Sequence, residues 1–299
     1  MTQGMSSNFV VLAGGYDLEM VTIINLCREN GIEVVDKFLG WGESSAVHAD
    51  AVAQVQKEGK QVVFIEPIFD DSFPQPEGSI VIDHHGERSH EEPSLIQFLK
   101  LIGLEPTRRQ RLIGANDAGY IPAMLAMGAT EAEISEIRRM DREAQGVTEE
   151  MEAEAERAIS EKEIVNGVTI VKMAHSKTAT VCDRLFNPAE KQNLLILSGD
   201  GEVNYFGNGA LCAVLKEKFE GWNGGSGLGD AEGTAFWGGY PNQDEVVRFI
   251  TGVLAIAGVF VEAAKRAETC CHNVNVNVTI RYEMQKPDYD DFDRCASGH

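Results

Sequence analysis

Three consecutive residues, Asp83-His84-His85, stand directly after the apolar run SIVI and before Gly86. A strand of that composition delivers them in succession to one edge of a sheet, and neighbours at a strand end point in different directions. Neutral imidazole is a ligand for Mn, Zn or Fe, and carboxylate suits Mn and Mg. One histidine can therefore bind an ion while the adjacent residues orient it or act on substrate. The competing reading is a chance tripeptide on a solvated loop. Asp17 and Glu66 stand just past the ends of two further apolar runs, FVVLA (9–13) and QVVFIE (61–66). Asp117 lies in GANDAGYI (114–121) between helical patterns. Alone it reads as a helix cap, a common role for aspartate; beside the Asp-His-His run it reads as a further acid of the same site. The segment Gly221–Pro241 is dense in glycine, and glycine lets backbone N–H groups approach a phosphate or a nucleobase closely. The competing reading there is a flexible surface loop.

The elements that must position these residues follow from hydrophobic periodicity. Strand patterns at 9–13, 33–39, 61–66 and 79–83 alternate with helical patterns from Leu18 to Asn30 and from Ser45 to Glu58. Short apolar strands separated by helices imply a parallel sheet covered on both faces. Such sheets bind ligands beyond the carboxyl ends of their strands, where Asp17, Glu66 and Asp83 fall. A helical stretch runs from Glu91 to about Ser160; its acidic run 149–163 reads as a solvated connector. A second unit begins near Ile164, with strands at 168–174 and 194–200, a helix at 209–219, the glycine-rich loop, and a helix from Asp244 to about Glu268. That last helix contains the apolar stretch Phe249–Val261, too short to span a bilayer, and reads as a buried core helix. Alternating valines at 274–280 predict a strand with one wet face, followed by a loose tail.

Composition sets limits. The chain of 299 residues carries a net charge of −21, a field that repels long polyanions and anionic membranes but leaves room for a small phosphorylated ligand. Its six cysteines form no CxxC pair and point to a reducing compartment. Cys270-Cys271 reads first as ordinary thiols and second as a metal pair. No leader is visible, so the expectation is a soluble, cytoplasmic protein. Cations for phosphate are few. Arg88 stands nearest the Asp-His-His run, with Lys177 and Arg184 next. The arginines at 108, 109, 111, 138, 139 and 142 read as partners of nearby glutamates on solvated helix faces. His48, His90, His175 and His272 have no partner visible from spacing.

Together these residues resemble the DHH phosphoesterase family. The carrying pieces are Asp17-Leu18-Glu19 after the first strand, Glu66 at the end of a middle strand, Asp83-His84-His85, and Asp117. Gly224-Gly225-Ser226-Gly227 through Gly233 is similar to the GGGGHPxAxG loop of the family's DHHA1 substrate-binding domain. The resemblance implies an α/β fold: a parallel-sheet DHH domain with covering helices (1–128), a helical connector (129–163), a smaller α/β DHHA1-like domain (164–268), and a C-terminal strand and tail (269–299). It implies a manganese-dependent hydrolase, with Mg as the alternative, acting on a nucleotide, short oligonucleotide or cyclic dinucleotide. One ion would be held by Glu19, Glu66, His84 and Asp117. The other would be held by Asp17 and Glu66 alone, because Ala13 stands where the family has a histidine; hence one strong and one weak metal site. Asp70 and Asp71 are alternatives to Glu66. Asp83 and His85 take the catalytic role, and Arg88 with Gly224, Gly225, Ser226, Gly227 and Gly233 the substrate role. Leu228-Gly229 replaces the family's His-Pro. With Ala13, this supports a second reading, a degenerate member that binds a phosphate ligand or a protein partner without hydrolysis. A dinucleotide-dependent oxidoreductase is disfavoured, since AGGYDLE lacks the G-x-G-x-x-G spacing. Homo-oligomerisation is left open.

Overall fold

The computed structural model describes residues 8–40 and 42–270, those from 257 onward by their backbone alone. Strands β1 (Phe9–Leu12), β2 (Glu33–Val35), β3 (Gln61–Ile65) and β4 (Ile80–Ile82) form a parallel sheet in the order β2-β1-β3-β4. Their period-two alternation sends Val11, Ala13, Val63 and Ile65 to one face and Val10, Leu12, Val62 and Phe64 to the other. The first face is covered by α1 (Leu18–Glu29), α3 (Ser94–Leu101), α4 (Arg108–Ala126) and α5 (Glu131–Ala144); the second is covered by α2 (Ala49–Lys57). The expected parallel sheet with two covered faces is therefore present. β2 stops at Val35, earlier than the apolar pattern to residue 39 suggests, because Asp36 turns the chain by accepting from the Phe38 N–H at 2.8 Å.

A second sheet of six strands has the order β5-β6-β7-β8-β10-β9. It comprises β5 (Glu163–Val165), β6 (Val168–Met173), β7 (Leu194–Ser198), β8 (Val203–Asn208), β9 (Trp222–Gly224) and β10 (Thr234–Gly239). Only β6 and β7 pair in parallel. Helices α8 (Gly209–Phe219) and α9 (Gln243–Cys270) cover one face, and α6 (Glu149–Ser160) and α7 (Ala179–Leu185) the other.

Three expectations change. The acidic run is not wholly solvated: Ala155 and Ala158 of α6 are buried against the second sheet. The glycine-rich segment is bounded by β9 and β10 rather than being loop throughout. The apolar helix is buried at Val246 and Ile250, but Ile256 is 61% exposed, so α9 is not a core helix along its length. The alternating valines at 274–280, Cys271 and the tail lie outside the described residues. Among the described residues no helix is long and apolar enough to cross a membrane.

Candidate metal centre

The chain leaves β1 through Gly14-Gly15 and enters α1 at Asp17. Gly14 is needed for that path: a Cβ there would lie 2.4 Å from the Glu66 carbonyl oxygen, so only glycine lets the ends of β1 and β3 approach. Asp17 caps α1, accepting from the Met20 N–H at 2.8 Å through Oδ1. Glu19 follows in the first turn and is 1% exposed. Glu66 ends β3 with φ of 49°, a left-handed conformation that side chains adopt only where surroundings over-determine it. β4 then delivers Asp83, His84 and His85. Asp117 arrives from α4, three residues before the kink residue Tyr120, which has φ of 58°. It lies within the helical run, whose N-terminal cap is Thr107.

These elements converge. His84 is buried and its Nε2 lies 2.6 Å from Asp117 Oδ2, 3.4 Å from Glu19 Oε2 and 3.4 Å from Glu66 Oε1. The His85 ring lies beside it, with centroids 4.2 Å apart. Its Nδ1 stands 3.2 Å from Asp83 Oδ1 and its Nε2 3.8 Å from Asp117 Oδ2. Ligand atoms of Glu66, His84, His85 and Asp117 all fall within 4.8 Å of one another, so the structure adds His85 to the group that could grip one ion. Asp70 is not part of it. Its carboxylate accepts from Ser44, Ser72 and the Phe73 N–H on the exposed side of the sheet, which leaves Glu66 as the acid of this strand end that reaches the cluster. Asp71 is exposed and shares no contact with the cluster.

The electrostatics are those of an acid cluster short of cations. Asp17 Oδ2 and both oxygens of Glu19 and Glu66 are buried without a hydrogen-bond partner. Burial, then the charges of Asp117 and Glu66, holds the Asp17 carboxyl well above the usual carboxylate range. Burial likewise pushes Glu19 up to about 8. For His84, burial opposes the charged ring, but the bond to Asp117 and the nearby carboxylates of Glu19 and Glu66 outweigh it and raise it to about 12. Asp117 shows the reciprocal balance: burial raises it, and the His84 bond more than offsets that, leaving it below the ordinary value. His85 is raised chiefly by its bond to Asp83.

Ala13 is 2% exposed and packs in the core between β1 and α1, so an imidazole grafted there would first overpack the core. The nearby His48 does not substitute for it. Its Nε2 lies 2.9 Å from the Ala13 carbonyl oxygen, buried, and burial lowers its pKa. His48 was not legible as a buried residue because it closes a single 3-10 turn (Ser45–His48) with no periodicity to read.

A cavity of about 240 Å3 adjoins the cluster, lined among others by Gly14, Gly40, Ser45, Glu66, Asp83 and His85. No lysine or arginine among the described residues lines it. Arg88 is exposed and has no side-chain partner among the described residues. Lys177 is engaged by the Gln145 carbonyl at 2.8 Å, and Arg184 by Glu152 and Glu156 at 2.7 and 3.1 Å. The glycine-rich loop lines a different cavity, of about 140 Å3, with Asn193, Asn208 and Thr234. Its glycines are consumed by its own closure: Gly209 N–H donates to Gly233 O and Gly229 N–H to Gly209 O, both at 3.0 Å, and a Cβ on Gly227 would lie 2.4 Å from Thr234 N. Gly224 and Gly225 pack against Phe236 and Ala235 in the same way, and Ser226 is exposed. A Gly227→Val change would therefore disrupt the loop itself rather than report cleanly on a ligand.

Two of the arginines read as solvated are not. Arg138 and Arg142 are 7% and 8% exposed. Arg138 binds Asp183 Oδ1 at 3.0 Å and Asp141 Oδ2 at 2.7 Å, and Arg142 binds Asp183 Oδ2 at 2.5 Å. Arg108, Arg109 and Arg139 do pair with Glu133, Glu136 and Glu143 on exposed helix faces.

No family model matches the chain, and no curated protein matches it either. Among solved structures it is similar to the crystal structure of RecJ in complex with Mn2+ from Thermus thermophilus, with 13% identity and a TM-score of 0.40, over 84% of this chain and 52% of that one. The chain thus spans about half the length of that protein.

Proposed function

We propose that the chain is a metal-dependent phosphoesterase acting on a small phosphorylated molecule, a nucleotide, short oligonucleotide or cyclic dinucleotide. The observation that carries this is the set of buried carboxylate oxygens without partners around His84. Buried acids are tolerated when paired or bound to a cation, and a mixed carboxylate and imidazole set is the donor chemistry of Mn and its neighbours. Glu19, Glu66, His84 and Asp117 would hold the principal ion. Asp17, with Glu66, offers a weaker second position that lacks an imidazole. Such ions, when bound, neutralise phosphate oxygens and lower the pKa of a coordinated water.

The chain's own residues account for the rest. Asp83 holds the proton on His85 Nδ1 and fixes the ring, so that Nε2 is the nitrogen that exchanges a proton with a substrate oxygen. The adjoining cavity is lined by Gly14, Gly40 and His85 but, among the described residues, by no lysine or arginine. Substrate charge would thus be met at the cluster, with Arg88 the nearest exposed candidate beyond it. The net charge of −21 disfavours long nucleic acid. The division at 128 and 163, the DHHA1-like role of the second sheet and a cytoplasmic location complete this reading.

The second reading, a phosphate-binding protein that hydrolyses nothing, is favoured by one observation: Ala13 sits in the core, and the nearby His48 is held on the Ala13 carbonyl instead of supplying an imidazole to Asp17. Calorimetric titration of the chelated protein with Mn, followed by hydrolysis of bis-p-nitrophenyl phosphate and of a dinucleotide with and without Mn, separates the two. Mn uptake with metal-dependent hydrolysis supports the first; uptake without hydrolysis supports the second; no uptake overturns both.

A further inference from the structure

The buried polar network at α5 and α7 has branches that end beside residues of the cluster. Asp183 of α7 accepts from Tyr120 Oη at 2.6 Å and from Arg138 Nε at 3.0 Å, and its other oxygen accepts from Arg142 Nη1 at 2.5 Å. Tyr120 forms the kink three residues after Asp117. Arg138 lies over its ring, 4.6 Å from the centroid, and Phe186 meets it edge-on at 5.5 Å. Arg138 also donates to Asn116 Oδ1 at 2.9 Å, next to Asp117 in the chain, and to Asp141 Oδ2 at 2.7 Å. Asp141 Oδ1 in turn accepts from the Leu18 N–H at 3.2 Å, between Asp17 and Glu19.

We propose that Asp183, carried by the helix layer of the second sheet, is a positioning residue for the metal cluster: it fixes, through Tyr120, Arg138 and Asp141, the two segments that bear Asp117 and Asp17-Glu19. The physical need is clear. The cluster's carboxylates repel one another, and oxygens of Asp17, Glu19 and Glu66 lack hydrogen-bond partners, so they cannot set their own spacing. Tyr120 holds a left-handed conformation that a bulky residue keeps only under external restraint. Metal ligands must be held within about 0.5 Å of their working geometry by residues that are themselves locked. Asp183 supplies that lock, and its side chain is 7% exposed. The second sheet is thereby coupled to the metal site without lending it a ligand.

The inference rests on the reading of the cluster as a metal centre, and one experiment separates the two. Mn affinity is measured by calorimetry on the full chain, alongside circular dichroism, for the unmodified protein, Asp183→Asn, Tyr120→Phe, and Lys172→Ala as an exposed control on the second sheet. Asp183→Asn is expected to weaken Mn binding by roughly 10-fold, the scale for groups that orient ligands. Tyr120→Phe should act in the same direction by less, and Lys172→Ala not at all. A merely structural Asp183 would lower the melting temperature but leave the affinity of folded protein at 20 °C unchanged; that result in either variant overturns the proposal while leaving the metal centre intact. If Asp183→Asn does not fold, Tyr120→Phe decides, since it removes one hydroxyl and keeps the ring. An unmodified chain that takes up no Mn overturns the metal reading and this inference together.

Discussion

Two buried charged clusters stand side by side in this molecule, and they are built on opposite terms. Around Asp183 every carboxylate oxygen has a partner: Tyr120, Arg138 and Arg142 on Asp183, and Leu18 N–H, Arg138 and Gln145 on Asp141. Around His84, Asp17 Oδ2, Glu19 Oε1 and Glu66 Oε2 have none, and Glu19 Oε2 and Glu66 Oε1 meet His84 Nε2 only at a long 3.4 Å. Burial costs both clusters their hydration. The first recovers it through ion pairs and hydrogen bonds, while the second recovers it only in part, chiefly through His84 and Asp117. A fully paired network holds structure; an under-paired one of the same residue types has donor atoms that could hold a cation from outside.

The largest effects should fall on His84 and Asp117. Asp117→Asn and His84→Ala are both expected to abolish Mn uptake in a calorimetric titration. They should differ without metal. His84→Ala removes the cation that three carboxylates share and should lower metal-free stability by about 3 kcal/mol, whereas Asp117→Asn removes one of the crowded acids. Equal melting curves for the two would break the comparison. Next, Asp183→Ala removes the carboxylate that Arg138 and Arg142 share, leaving each buried with one counter-charge, Asp141 and Glu152, and should cost about 3 kcal/mol in urea unfolding. A loss below about 1 kcal/mol would mean that the network is no better than a surface pair. The mirror-image change in the other cluster should have the opposite sign. Glu19→Gln is expected to stabilise the metal-free protein by about 2 kcal/mol at pH 9 while weakening Mn binding.

A pH titration sharpens the same contrast. Glu19 is raised from 4.5 to about 8 and His84 from 6.5 to about 12, so the folded chain binds more protons than the unfolded one above pH 4.5. Stability of the metal-free protein should therefore fall as pH rises through 4.5–8, and continue to fall above 6.5 from the histidine. Saturating Mn should reverse the slope over that range, because binding displaces the protons. Melting temperatures at pH 5, 7 and 9 with Mn and with chelator test this. The smallest effect is expected at Arg139, on the same helix as Arg138. Its pair with Glu143 is half exposed on both sides, and Arg139→Ala should leave the melting temperature within error.

How much of the site can be read in the sequence depends on how far apart its pieces lie. Asp83, His84 and His85 are legible because one short strand delivers all three. Asp17 and Glu19 are legible because they open a helix that follows a strand. Asp117 gains its meaning only beside the others, since a lone aspartate within helical patterns reads as a cap. The sequence leaves Glu66 and Asp70 as alternatives; folding places Glu66 in the cluster and ties Asp70 to Ser44 and Ser72 in a turn. Arg142 does pair with the nearby Glu152, as expected, but Arg138 and Arg142 are misread as solvated for the same reason. Their glutamate neighbours are close in sequence, whereas Asp183 lies more than forty residues on.

Local patterning determined the four parallel strands, the helices that cover them, and the edge at which the acids and histidines gather, because periodicity and strand-end placement are properties of short segments. The tertiary structure alone decided which carboxylates stay unpaired, which arginines are buried, and that the glycines at 224–233 close their own loop. Each of these depends on a partner brought near by folding. Burial then sets the cost of leaving a charge alone, so the same residue types form a closed lock around Asp183 and an open acid cluster around His84.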